Sequence, residues 1–565
     1  MIKPCKKALF LFLALALAVS CLPHLSARAA FTVPTETIRV GIYSKVSGNT
    51  VRNYPSANLQ NVTNCGSGYE FGYYNASREF VPLGVSTAEI KISMIMDKNM
   101  AYDAASNAYV ENGSGSVMVG CYHIRLNGSY SDAASALDAA AAYEESFLRY
   151  NNGAFYVLVG NYTSSADATA AASEKGISGF SVDSGTGYTV TVVATGTRKI
   201  LFEYDCGSSS FLAVRPLAEE GVKARTWFRG YSYYGDFQYR RISGDNLYVA
   251  NILNIDDYVK GVIPSEMSPS FPKEALKAQA VCARTYAIAN LNKHGAYGFD
   301  ICSTAECQVY YGRNVATAFT DQCVDETSGM YLTYEGTLCT TYYYSCNGGA
   351  SEDVENVWST YIPYLRGVVD PYEASVADRL SAYNWTVTFT GSELQEKLKA
   401  KGYSCGKIVK FEILENTAMG NVLKIRFTDS AGKSFTFAKE KVRTLLGLRS
   451  CRYTVNNNAA TSFYVNDSSS SVGSDLSSLF GIGSGGIISA LTSGSVYAIT
   501  GSGTVSEVKV ETAASDKFVL NGSGNGHNVG MSQWGAYAMA KNYGKTYIDI
   551  LQFYYTGTEV LNASR

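Results

Sequence analysis

Histidine is scarce in this chain, with four in 565 residues. With so few, and with no G-x-S-x-G elbow, a Ser-His-Asp hydrolase is hard to assemble. Net charge is nearly absent too, at −2, so no nucleic-acid partner is expected. After the N-terminus no segment approaches 18 unbroken apolar residues, and no membrane span is expected once that end is removed. What the chain does have is length, cysteine and tyrosine. At 565 residues it exceeds what one core usually supports, which predicts two or more domains. Its 43 tyrosines suit half-buried strand positions in an extracellular, strand-rich protein.

The N-terminus carries Lys3, Lys6 and Lys7, an apolar run from Ala8 to Val19, and Ala27-Arg28-Ala29. This predicts a secretory signal over 1–29, cut after Ala29, and an exported chain. Ala18-Val19-Ser20-Cys21 is a poor lipobox and offers lipidation at Cys21 as the rival. Setting aside Cys5 and Cys21 leaves eleven of the 13 cysteines. An odd number outside the cell means at least one that is free, metal-bound or intermolecular.

Residues 30–115 read as short strands broken by Gly, Asn and Ser turns. An internal repeat follows: 123–140 (HIRLNGSYSDAASALDAA) aligns with 155–172 (FYVLVGNYTSSADATAAA). Each half pairs a strand and a Gly-x-Tyr turn with an Ala-rich helix, then adds a second strand, predicting a βαββαβ ferredoxin-like unit over 116–184. This unit resembles a SPOR domain, whose family binds glycan strands stripped of stem peptides. Residues 185–565 return to strands and then helices, so the whole reads as α+β, with a Ser/Gly-rich insertion at 456–512.

The stretch Gly261–Gly312 is the most informative. Glu266 sits among Val262, Ile263, Pro264 and Met267, in what reads as an apolar loop. A helix follows, starting near Ser270-Phe271-Pro272 and ending near His294-Gly295. Desolvation disfavours a charged carboxylate, so Glu266 is the candidate general acid.

Four motifs occur in order: Pro264–Met267 (PSEM), Glu274–Ala287 (EALKAQAVCARTYA), Phe299–Gly312 (FDICSTAECQVYYG) and Gly526–Ala540 (GHNVGMSQWGAYAMA). On these the chain resembles the SpoIID/LytB family, over about half its length. The resemblance implies a β-rich catalytic fold with a long active-site helix and a peptidoglycan lytic transglycosylase in which Glu266 is the single acid/base. The glycan strand, denuded of its stem peptides, would be the substrate. The LytB side implies a rival: a non-catalytic wall-glycan binder that enhances a cell-wall amidase. Sporulation engulfment is a third, weaker reading.

Lys277 and Arg284 are seven apart on one helix face, suited to a sugar carboxylate, and match the family's basic positions. Gln279 and Tyr286, also seven apart, lie nearly opposite, so both pairs cannot face one groove. Tyr344 and Ser345, in the segment CTTYYYSCNGGASEDVENVW, are expected to line the groove, as are His527 and Gln533 at the last helix start. The family's usual GHGVGMSQ reads GHNVGMSQ here; where that Gly needs a positive φ, Asn528 is the least unfavourable substitute. The chemistry requires no cofactor. Cys302 and Cys307 with His294 are expected either to hold a structural zinc, Glu306 standing as a fourth ligand, or to close a Cys302–Cys307 disulfide. Cys339 and Cys346 form a second candidate bridge. Asp256, Asp257 and Glu274 are candidate partner carboxylates for Glu266.

Overall fold

In the computed structural model the described residues are 31–42, 53–457 and 517–563, apart from 112, 114, 243, 245 and 382, with four short strands between 480 and 508. The expected signal segment, Cys21 and most of the 456–512 insertion lie outside them. Among the described residues no helix is long and apolar enough to cross a membrane.

The fold is α+β. A seven-stranded sheet pairs Thr37–Gly41 with Tyr248–Asn254 antiparallel and with Ile301–Cys302 parallel. It therefore joins residues from before and after the repeat to the cysteine turn. A second, ten-stranded sheet contains the repeat itself. Its elements run Tyr122–Leu126, helix α1 (Ala133–Ala140), Ser146–Asn151, Ala154–Tyr162, helix α2 (Ser165–Glu174) and Phe180–Asp183. Across the sheet the fourth of these strands flanks the first, followed by the third and second. Both helices start on side-chain caps: Asp132 accepts from Ser135 N–H and Ser164 from Asp167 N–H. Their buried alanines let them lie close on the sheet.

This repeat unit is not hung on a linker. Its strand Ser146–Asn151 continues the sheet through parallel pairing with Ile200–Tyr204, by two residue pairs, Arg149↔Glu203 and Tyr150↔Tyr204.

Helix α3 (Ile255–Glu266) and helix α4 (Lys273–Ala289) follow, packed together. In α3 the buried residues Ile255, Tyr258, Val259, Val262 and Ile263 keep a 3.6-residue period. Asn254 caps it, and Asp256 and Asp257 lie at its positive N-terminal end. Pro264 lies inside the helix and cannot bond the Lys260 carbonyl; Arg313 Nη1 donates to that carbonyl instead, at 3.1 Å. So the helix continues through Pro264 to Glu266, where a loop was expected. Helix α4 ends at Ala289 rather than near His294, and between Ala275 and Ile288 only Lys277 escapes burial. Its small residues let α3, the Ala318–Asp325 helix, the Gln533–Tyr543 helix and the Tyr547–Tyr554 helix pack around it.

A separate apolar cluster, around Phe411, Ile425, Phe427 and Leu520, unites residues 384–457 with the strand Lys517–Ser523. The sequence reading placed this lobe undivided within 185–565.

Candidate functional site

Glu266 closes the last turn of α3, partly exposed, at the edge of a cleft of about 390 Å³. The cleft is also lined by Tyr286, Glu306, Tyr342, Tyr343, Tyr344, Ser345, Trp358, His527 and Gln533. Val309 N–H donates to Glu266 Oε1 at 2.6 Å. Burial raises the Glu266 pKa, and the bonds from Val309, Tyr343 and Gln533 pull it only part of the way back. The negative end of the α3 dipole acts in the same direction as burial. Gln533 Nε2 also donates to the Glu266 carbonyl at 3.3 Å, tying the PSEM helix to the last motif.

A hydrogen-bonded chain supports the carboxyl. Tyr258 donates to Gln308 Oε1 at 3.0 Å, and Gln308 Nε2 donates to the Tyr343 hydroxyl at 3.1 Å, which leaves the Tyr343 proton for Glu266. Tyr343 and Gln308 were missed by sequence reasoning. Both stood inside quoted motifs, but nothing in one-dimensional spacing separates Tyr343 from its neighbours Tyr342 and Tyr344. Only the parallel pairing of Tyr343–Tyr344 with Met531–Ser532 fixes which ring faces Glu266.

His527 accepts from Val529 N–H through Nδ1 at 3.1 Å, which places its proton on Nε2. Its ring packs against Trp358, Tyr344 and Tyr342, with centroids at 4.9, 5.3 and 6.2 Å. Burial, then the charge of Arg443, lowers its pKa to about 3, so it is a neutral donor. Asn528 takes φ +65° and donates to the Asn347 and Ala350 carbonyls at 3.0 and 3.3 Å, the role expected of it. Behind the Gly348-Gly349 turn, buried Glu373 accepts from Asn347 N–H, Gly348 N–H and the Ser532 hydroxyl. Burial raises its pKa to about 7.

Of the paired helix residues, Tyr286 lines the cleft and Arg284 does not. Arg284 is fully buried, bonded to Asp256 at 2.7 Å and to the Val324 and Met330 carbonyls at 3.3 Å each. Lys277 turns to Glu274 at 3.2 Å, to Glu326 at 3.6 Å and to the Tyr547 ring. The basic pair therefore works inside the fold, not at the cleft, and Asp256 and Glu274 are engaged with it. Asp257 pairs with Lys223. Gln279 is buried and does not line the cleft; both its amide atoms lack a hydrogen-bond partner.

The eleven described cysteines are free thiols, so the Cys302–Cys307 and Cys339–Cys346 bridges are not formed. Instead His294 Nε2, Cys302 Sγ and Cys307 Sγ all lie within 4.8 Å of one another, with His294 Nε2 at 3.3 Å from Cys307. A hydrogen bond between the thiols holds Cys302 below its usual range and raises Cys307. This donor set fits three ligands of a zinc ion. Glu306 is exposed toward the cleft and is not the fourth. A larger hollow of about 580 Å³, lined by Phe435, Phe437 and Lys439, shares Trp358 with the cleft but holds none of the candidate catalytic or binding residues.

The SpoIID family model, described as stage II sporulation protein, matches residues 243–334, which carry α3, α4 and the cysteine turn. An uncharacterized protein of Brachyspira hyodysenteriae is 32% identical over 60% of this chain and 74% of its own length. The amidase enhancer of Bacillus subtilis is 32% identical over 53% of this chain, which spans 40% of that protein. Stage II sporulation protein D of the same organism is 28% identical over 55% of this chain and 75% of its own length. With Glu266, the cysteine turn and the last motif gathered at one cleft, the chain belongs to the SpoIID/LytB family.

Proposed function

We propose that this chain is an exported, cell-wall-associated lytic transglycosylase of peptidoglycan, acting on glycan strands stripped of peptide. The observation that carries this reading is Glu266, a carboxyl with a raised pKa fixed by Val309 and facing an aromatic cleft. Protonated Glu266 gives its proton to the glycosidic oxygen as the MurNAc–GlcNAc bond breaks. The resulting carboxylate takes the proton of the sugar's own C6 hydroxyl, which attacks the anomeric carbon and closes a 1,6-anhydro ring. The internal nucleophile needs no second carboxylate and brings a large effective concentration. Tyr286, Tyr344, Ser345, His527 and Gln533 would contact the glycan, and the βαββαβ unit would bind it as a SPOR-type module. Zinc held by His294, Cys302 and Cys307 would be structural, fastening the turn that presents Val309.

The test is mass spectrometry of denuded glycan incubated with the purified chain. Anhydro-ended fragments are expected, lost in Glu266→Gln with glycan binding kept. Retained cleavage in that variant would sink the assignment, and reducing ends would mean hydrolysis by water. The similarity to an amidase enhancer favours a second reading, a glycan binder that stimulates an amidase. Intact strands that co-sediment with the chain would select it.

A further inference from the structure

Where the βαββαβ unit meets the core sheet, three ligating side chains converge from separate strands. His123 belongs to Tyr122–Leu126, Glu203 to Ile200–Tyr204, and Asp97 directly follows Lys91–Met96. One nitrogen and two carboxylate oxygens from these residues lie within 4.8 Å of one another. His123 and Glu203 are 1% and 0% exposed.

The hydrogen bonds leave this cluster incomplete. His123 Nδ1 is 2.9 Å from the Gly160 carbonyl, which can only accept, so Nδ1 carries the proton. Nε2 then faces Glu203 Oε1 at 3.2 Å, within ion-pair distance, and neither oxygen of Asp97 has a hydrogen-bond partner. A backbone carbonyl on one ring nitrogen, with the other turned to carboxylates, is how metal-ligating histidines are oriented. Glu203 is itself fixed, by Thr191 Oγ1 at 2.8 Å and by Arg149 at 2.8 Å. Arg149 and Arg241 are the buried guanidinia beside Asp97 and Glu203, and Asp183 is shared between Arg149 and Arg125. Gly185, at φ +71°, covers Asp97 so closely that a Cβ would fall 1.9 Å from Oδ2. Protonating His123 would serve Glu203 but leave the Asp97 oxygens bare; one cation serves all three groups.

We propose that Asp97, His123 and Glu203 bind a first-row divalent ion of the Zn²⁺ or Mn²⁺ class, which clips the inserted unit to the core sheet. One imidazole and two carboxylates suit such ions better than Ca²⁺ or Cu⁺. The clip would lie at the seam where the strand ladder between the two parts has two residue pairs.

The test uses the full chain carrying His294→Ala, Cys302→Ser and Cys307→Ser, freed of metal and titrated calorimetrically with Zn²⁺ and with Mn²⁺. One equivalent should bind and raise Tm. Adding Asp97→Asn should weaken binding at least about tenfold, while the metal-free Tm holds or rises. Should the triple variant not fold, Mn²⁺ resonance on the unmutated chain replaces it, since thiolates disfavour Mn²⁺. Absence of a bound equivalent, or equal affinity in Asp97→Asn, overturns the proposal. So does a nitrogen spectrum showing His123 protonated at both ring positions at saturating metal.

Discussion

Val309 N–H bonds the Glu266 carboxylate at 2.6 Å across 43 residues of chain, so the turn carrying two cysteines also sets the acid strength of the helix end beside it. The same carboxyl is restrained by Tyr343, and both contacts oppose the effect of burial.

Tyr343→Phe should therefore push the Glu266 pKa higher still. A general acid must be protonated, so the rate falls as pH rises through its pKa. The variant's falling limb moves to higher pH, while kcat at low pH drops about tenfold through lost positioning. A pH–rate profile on denuded glycan checks this; an unmoved limb would separate Tyr343 from the acid.

Arg284→Ala should unfold the protein more readily without touching the cleft. Removing the buried guanidinium leaves Asp256 without its cationic partner, though Ser328 still donates to it, and takes a donor from the Val324 and Met330 carbonyls, at a loss of about 3 kcal/mol. Denaturant titration should show that loss, and glycan affinity of the folded protein should stay unchanged. Weakened affinity at full folding would return Arg284 to the binding role.

Stability should change with pH in two opposite senses. Glu373 has a folded pKa of about 7 against an ordinary 4.5, so the native state holds a proton the unfolded chain has released. Its contribution is full below pH 4.5 and is lost as pH rises toward 7. His527 has a folded pKa of about 3 against 6.5, so its contribution is full above 6.5 and is lost as pH falls toward 3. Chemical denaturation across pH 3–8 should show the acid-side slope reduced in His527→Gln and the neutral-side slope reduced in Glu373→Gln.

If His294, Cys302 and Cys307 hold zinc, elemental analysis of the purified chain should find it, and Cys302→Ser should lower it. Chelation should then loosen the 301–309 turn and, under the proposed function, slow glycan cleavage through Val309, with faster amide exchange in that turn as the readout. Exchange unchanged by chelation would leave the turn standing without metal.

The motifs made Glu266 legible, because an apolar neighbourhood and a family pattern coincide on one residue. The repeat gave the strand and helix order of 122–183, because alternation and Ala-rich runs are local signals. The apolar loop expected around Glu266 is instead helix, which persists through Pro264 because Arg313, 49 residues later, satisfies the orphaned Lys260 carbonyl. Arg284 misled for a related reason. Helical spacing gives which residues share a face but not whether that face meets solvent or the Asp256 carboxylate. The lobe around Phe411 was hidden because its last strand lies 60 residues beyond Asn457, across the insertion.

The two-pair seam between Ser146–Asn151 and Ile200–Tyr204 makes excision of the inserted unit an unsound control. Cutting it out would open an unpaired strand edge at Ile200–Tyr204 and strip Glu203 of Arg149 and His123 together. The truncated chain would then acquire stickiness that the whole chain lacks, and lost activity would be mistaken for lost recognition. Point changes on the outer face of the unit, made with the weld intact, are the sounder way to separate its contribution from the cleft's.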